Sequence, residues 1–209
     1  MALITAAEAR ALEPSLTGTA EDTTLDTLIA RAGEMLARYC GYPEPSAGAS
    51  PTMESTTYTI EHTWADPGRE SQTRYRDLTL RVWPTTAVSA VYDDPEKDFT
   101  SATYLVAAAD YAIVEQGRTL RLTSTSTWGA WGEGVGRIRV AFTAGFVTVP
   151  TMLKQLCAMT VKHLWMLRTL QGKASVGQQG NNVSYHPPAA LPAEVEAMIG
   201  SFMLPSAVA

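Results

Sequence analysis

Apolar residues recur along this chain with two different periods, and the period changes twice. Leu25, Leu28, Ile29, Ala32, Leu36 and Tyr39 fall on one face at helical spacing, with Arg31, Glu34 and Arg38 elsewhere. This pattern predicts a helix that Asp22 or a neighbouring threonine caps, that Gly41 ends, and on which Glu34 and Arg38 pair one turn apart. Ahead of it, Thr5-Ala6-Ala7-Glu8 has the form of a capping box and predicts a short helix that stops before Pro14 and Gly18. Beyond Gly41 the period falls to two. Tyr58, Ile60, His62 and Trp64 alternate with other residues, as do Leu78, Leu80 and Val82. Further short strands are predicted over Val88 to Tyr92, Tyr104 to Val106, Tyr111 to Val114, Thr119 to Leu122 and Arg137 to Phe142. Pro43 to Thr56 and Ala65 to Arg74, the second carrying Pro67-Gly68, read as loops.

The return to a helical period comes at Val140 to Pro150, which reads as a strand, a corner at Gly145 and a proline helix start. The helix that follows, Thr151 to Leu170, is apolar on two adjoining stripes. Leu153, Leu156, Cys157, Thr160, Leu164 and Leu167 make one; Met152, Met159, His163, Met166 and Leu170 make the other. So wide a belt needs cover from more than one side, as a deep core element or as a subunit contact. Gln171 to Pro188 is polar and glycine-rich, and is expected to be a mobile arm. After Pro192 comes a short helix with Val195, Met198, Ile199 and Phe202 on a narrow stripe, followed by Leu204 and an apolar tail. Such a helix docks on a neighbour or packs on its own helices. The expected fold class is α+β: a helical bundle from the N- and C-terminal helices with a central antiparallel β insert. The segments are 1–42 (N-terminal helices), 43–149 (β insert), 150–172 (central helix) and 173–209 (arm and docking helix), in one domain overall.

Bulk properties narrow the function classes. At 209 residues the chain can bury a sizeable core. Sixteen basic against 21 acidic residues give a net charge of −5, which excludes a general nucleic-acid binder, since that task needs a basic surface. A surface past which duplex DNA slides without sticking suits that sign. Cys40 and Cys157 lie on expected helices with no partner at metal-ligand spacing, so both read as small buried apolar residues in a reducing compartment. The N-terminus does not read as a signal peptide, and no apolar run reaches membrane-spanning length. The expectation is a soluble protein working inside a cell or a particle assembled there.

No catalytic constellation emerges. His62 reads as a half-exposed strand residue, His163 as a packed helix residue and His186 as a loop residue, none with a metal-ligand neighbour. Gly129, Gly132, Gly134 and Gly136 surround Trp128 and Trp131 but precede a strand, unlike phosphate-cradling loops, which precede a helix. The two tryptophans are either contact anchors on a hairpin loop or caps on the β core. Asp93, Asp94, Glu96 and Asp98 read as a solvated acidic turn, because their spacing departs from the calcium-loop pattern. Ser124 to Thr127 lack a paired base. Glu115, Glu133 and Asp110 supply acids for a hydrolase, but no spacing brings two of them together. The chain therefore reads as a non-enzyme, with no cofactor and no metal.

The order of motifs resembles the head–tail connector, or adaptor, family of long-tailed bacteriophages and gene transfer agents. Leu3-Ile4-Thr5-Ala6-Ala7-Glu8-Ala9 matches the family's opening, and Leu28 to Gly41 its first long helix. Phe142-Thr143-Ala144-Gly145-Phe146, then Val149-Pro150 and Leu153-Lys154-Gln155, match the joint into the second. Two features depart from the family pattern: the terminal helix lacks Tyr and Arg, and the β insert is long. The resemblance implies a homo-oligomeric ring, a dodecamer, under the portal vertex in the neck of a virion assembled in the host cytoplasm. Such a ring extends the channel through which double-stranded DNA passes and receives a stopper or tail-completion protein. It assigns Met152, Met159, His163, Met166 and Leu170 to subunit contacts. Val195, Met198, Ile199, Phe202 and Leu204 go to portal docking, and Trp128 and Trp131 to tail-side contact. Another virion or tail-completion module is the alternative.

Overall fold

The computed structural model describes residues 2–16, 21–64, 76–169, 177–178, 181–182 and 191–204. Helices and antiparallel sheets make it an α+β protein. The chain divides into a helical unit, Met1–Tyr42, Pro51–Glu54 and Thr148–Met203, and a β unit, Pro43–Ser50, Ser55–Val147 and Leu204–Ala209.

In the helical unit, α1 (Ala6–Leu12) opens with the expected capping box: the Glu8 amide donates to the Thr5 hydroxyl, and the Thr5 amide donates to the Glu8 carboxylate at 2.8 Å. Helix α2 (Asp22–Tyr39) starts differently from expectation. Glu21 is its cap residue and supplies no side-chain bond, while Asp22 lies in the first turn and pairs with Arg10. At the other end Gly41 takes φ 82°, and the amides of Gly41 and Tyr42 donate to the carbonyls of Arg38 and Ala37. Those two bonds satisfy carbonyls that the helix end would otherwise orphan, and the left-handed turn suits glycine. Leu25, Ile29, Ala32 and Leu36 are buried as the periodicity predicts, but Tyr39 is exposed. Cys40, one full turn past Leu36, continues the buried stripe in its place. Helix α3 (Thr151–Thr169) begins just after Pro150, whose carbonyl accepts from the Lys154 amide. Helix α4 (Ala193–Met198) runs into a 3-10 turn over Ile199–Phe202. Helix α3 packs chiefly on α2; α1 touches both, and α4 rests on α3.

The β unit holds two antiparallel sheets. In the first, β6 (Gly134–Ala144) lies between β1 (Thr56–Trp64) and β3 (Thr85–Asp93). In the second, β5 (Thr119–Leu122) lies between β2 (Asp77–Thr79) and β4 (Tyr111–Val114). Central strand β6 buries Ile138, Val140, Phe142 and Ala144 on one face, the two-residue period of a half-buried strand. Register sets Tyr58 and Val88 opposite Phe142, and the Tyr58 and Phe142 rings stack 5.9 Å apart. Leu80 and Val82 are buried as their alternation implies, yet lie outside β2. Tyr104 to Val106, expected as a strand, is instead the end of a 3-10 turn (Ala102–Tyr104) followed by one bridge from Leu105 to Tyr92. The arm expected from Gln171 to Pro188 lies mostly outside the described residues. Within it, β7 (Gly177–Gln178) pairs with β8 (Asn181–Asn182).

Candidate functional site

The surface of α3 is where the two apolar stripes part company. Leu153, Leu156, Cys157, Thr160 and Leu164 are buried, and the Thr160 hydroxyl donates to the Leu156 carbonyl, so no polar group is stranded. The second stripe stays at the surface. Met152 is 41% exposed and Met166 52%; Met159 and His163 are half-buried, and Leu170 lies outside the described residues. Three methionines seven residues apart, Met152, Met159 and Met166, thus line one side of a helix whose opposite side is core. Methionine adapts its shape to many partners, which fits such a face for contact.

Every cation on α3 is neutralised from the N-terminal segment. Lys154 reaches Glu8 at 2.5 Å, Lys162 reaches Glu13 at 2.8 Å and Arg168 reaches Glu21 at 2.6 Å. The Lys154 ammonium, bonded to Glu8, together with the Thr5 amide holds the Glu8 carboxyl below its ordinary range. Arg168 also lies over the Trp165 ring at 4.2 Å. These three rungs, invisible in the pattern of the chain because their partners are remote in sequence, leave the methionine stripe without a competing charge of its own helix.

The C-terminal helix behaves otherwise than a free docking element. Val195 and Ile199 are fully buried, and Phe202 and Leu204 nearly so. Its stripe packs inside the chain, the second of the two outcomes that the sequence left open, because so narrow a stripe suffices only to hold a short helix on α3. Met198 and Met203 are the large apolar side chains left exposed on that segment.

Trp131 is likewise core. It is 2% exposed, and its indole N–H donates to the Arg76 carbonyl at 2.9 Å, so it caps the β core and is no contact anchor. Trp128 is half-buried. The acidic turn also differs from expectation: Glu96 and Asp98 are exposed, but Asp93 and Asp94 are buried. Asp93 accepts from Arg137 Nε and from the Gly132 amide, both at 2.6 Å. A Cβ on Gly132 would stand 2.1 Å from Arg137 Nε, so a larger residue there would have to displace the guanidinium that pairs with Asp93. Burial pushes the Asp94 carboxyl upward, but the amides of Phe99 and Glu96, with the Asp98 side chain and the Lys97 amide, outweigh it and hold the group below its usual range. The turn is thus built around two carboxylates that a sequence pattern cannot distinguish from solvated ones.

His62 is 3% exposed, not half-exposed, and its Nε2 makes no hydrogen bond. Burial, with help from the Arg81 charge, pulls its pKa down to about 4. The Cys40 and Cys157 thiols are buried and pushed up to about 12 by that burial, so neither is a reactive thiolate. Of the acids considered for hydrolysis, Glu115 is taken by the Thr119 hydroxyl at 2.6 Å and lies 3.7 Å from Arg121. Among the described residues no cluster of three or more His, Cys, Asp or Glu could hold a metal ion, and no helix is long and apolar enough to cross a membrane.

The α+β fold and these surfaces define a protein whose prominent features are packing faces and structural ion pairs. The head completion protein family (HCP) matches residues 2–203, and the chain belongs to it. That makes it a structural bacteriophage protein of the virion, in the class to which head–tail connectors and adaptors also belong. No curated protein matches the chain.

Proposed function

We propose that this protein is a head–tail connector subunit: copies form a ring under the portal, extend the DNA channel and receive a stopper or tail-completion protein. The four helices act as a bundle that builds the ring, and the β unit serves the neighbouring neck proteins, with half-buried Trp128 on that side. The observation that carries this reading is the surface stripe on α3, with Met152 and Met166 exposed and Met159 and His163 half-buried, on a helix otherwise spent on the core. A repeated subunit needs such a face, since a head-to-tail contact between identical copies closes into a ring. The burial of Val195, Ile199, Phe202 and Leu204 shifts portal docking to what remains exposed there, Met198 and Met203. The net charge of −5 suits a channel that DNA crosses without binding. Assembly takes place in the host cytoplasm.

The test is a double substitution, Met152→Lys with Met166→Lys. The expected outcome is a protein that melts like the wild type but yields DNA-filled heads that fail to join tails. Normal head–tail joining by this variant would overturn the assignment of the stripe, and neck density without this chain would overturn the connector role.

A further inference from the structure

The first sheet of the β unit has one edge, that of β1, with no pairing partner among the described residues. Strand β1 is nine residues long, pairs with β6 on one side, and among the described residues makes no backbone hydrogen bond on the other. Natural sheets protect such edges with charged side chains (lysine above all), proline, short strands or bulges, because an unpaired row of amides and carbonyls is a template for another strand. The other edges show these devices. Strand β3 carries two register shifts, and its outer side is met by the Leu105 bridge and the Val106 amide. Strands β2 and β4 have three and four residues. Strand β1 has no proline, no lysine and no glycine, and its single irregularity lies beyond His62.

Its sequence is also self-complementary. When two copies of β1 run antiparallel about Ile60, Thr57 faces Thr63, Tyr58 faces His62, Thr59 faces Glu61 and Ile60 faces itself. No like charges meet. Thr57, Thr59, Glu61 and Thr63 are exposed on one side of the strand, and half-buried Ile60 sits on the other, at the symmetry axis. Glu61 is already held by Arg139 at 2.7 Å within the same sheet, so an incoming strand meets no bare charge.

From this we infer that the free protein pairs with a second copy of itself through β1, making one continuous six-stranded sheet across a two-fold axis. The contact is isologous and closes at two copies, so it describes the protein before assembly and does not depend on the ring reading. Each substitution on the strand appears twice across the axis, which doubles its effect.

The test uses the full chain in solution, by sedimentation across a concentration series together with amide hydrogen exchange. The wild type is expected to be a concentration-dependent dimer whose amides from Thr56 to His62 exchange more slowly as concentration rises. Thr59→Glu sets a second carboxylate opposite Glu61 and is expected to weaken the dimer about five- to tenfold; Thr59→Lys is expected to tighten it by a similar factor. Residue 59 is exposed, so both variants should fold like the wild type. A monomer at all concentrations, equal dimer affinity in the Glu and Lys variants, or exchange of β1 amides that ignores concentration would each overturn the pairing. None of these results touches the particle experiment on Met152 and Met166.

Discussion

The two units of this protein place their polar groups in opposite ways. In the helical unit the charges sit at the surface as ionic rungs, Lys154–Glu8, Lys162–Glu13 and Arg168–Glu21, around an interior of Leu, Ile, Ala and Cys. In the β unit, buried polar groups belong to the core itself: Asp93, Asp94, His62 and Thr119. The difference follows from how each element satisfies its backbone. A helix closes its own hydrogen bonds and needs only an apolar stripe against its neighbours, whereas irregular turns between short strands leave amides that a carboxylate must collect. Asp94 does this for Phe99 and Glu96, and Asp93 for Gly132. The helical unit thereby leaves Met152 and Met166 exposed on α3, while the β unit spends buried polar side chains on its own turns.

The comparison can be broken most sharply within α3. Leu156→Ala should cost about 3 kcal/mol, as a buried leucine lost from a packed core, and Met166→Ala less than about 0.5 kcal/mol. Denaturant unfolding of both variants checks this; similar losses would mean that both stripes are core. In the β unit, Arg137→Ala strips the partially exposed partner from buried Asp93 and should cost roughly 2–3 kcal/mol, read from the unfolding of that unit. A loss under about 0.5 kcal/mol would show that the Gly132 amide alone holds the carboxylate.

The next effect depends on pH. His62 has a folded pKa of about 4, below the 6.5 of an exposed histidine, so the unfolded chain takes up a proton first as pH falls. The His62 contribution should therefore be whole above pH 6.5, decline between there and pH 4 by up to about 3 kcal/mol, and level off below. His62→Gln should flatten that decline while lowering stability at pH 7; an unchanged slope would assign it to other groups. Smallest is Glu8→Gln, which removes one exposed rung and should cost under about 1 kcal/mol. Because the Glu8 carboxyl is held low, its contribution is present above the ordinary carboxylate range and vanishes as pH falls through the lowered value. A Glu8→Gln variant whose stability tracks the wild type below that range and falls short above it meets the expectation.

Much of the architecture was legible along the chain. The capping box at Thr5, the stop at Gly41, the strands Tyr111–Val114 and Thr119–Leu122, and the corner at Gly145 are local devices, set by residues within a few positions of one another. Periodicity found both stripes of α3 but could not say which one the core would take. It also could not separate the buried carboxylates of Asp93 and Asp94 from the exposed ones of Glu96 and Asp98 two to five residues away. Nor did it show that Trp131 reaches the Arg76 carbonyl, since that partner lies 55 residues earlier.

The sequence by itself determined the periods, caps and turns, and with them the element types, their order and the family, because these depend on short-range sterics and hydrogen bonds. Tertiary structure alone decided which apolar faces were buried and which stayed exposed: Val195, Ile199 and Trp131 inside, Met152 and Met166 at the surface, and β1 with one edge unpaired among the described residues. Burial depends on what packs against a face, and the residues that supply that cover stand far away along the chain.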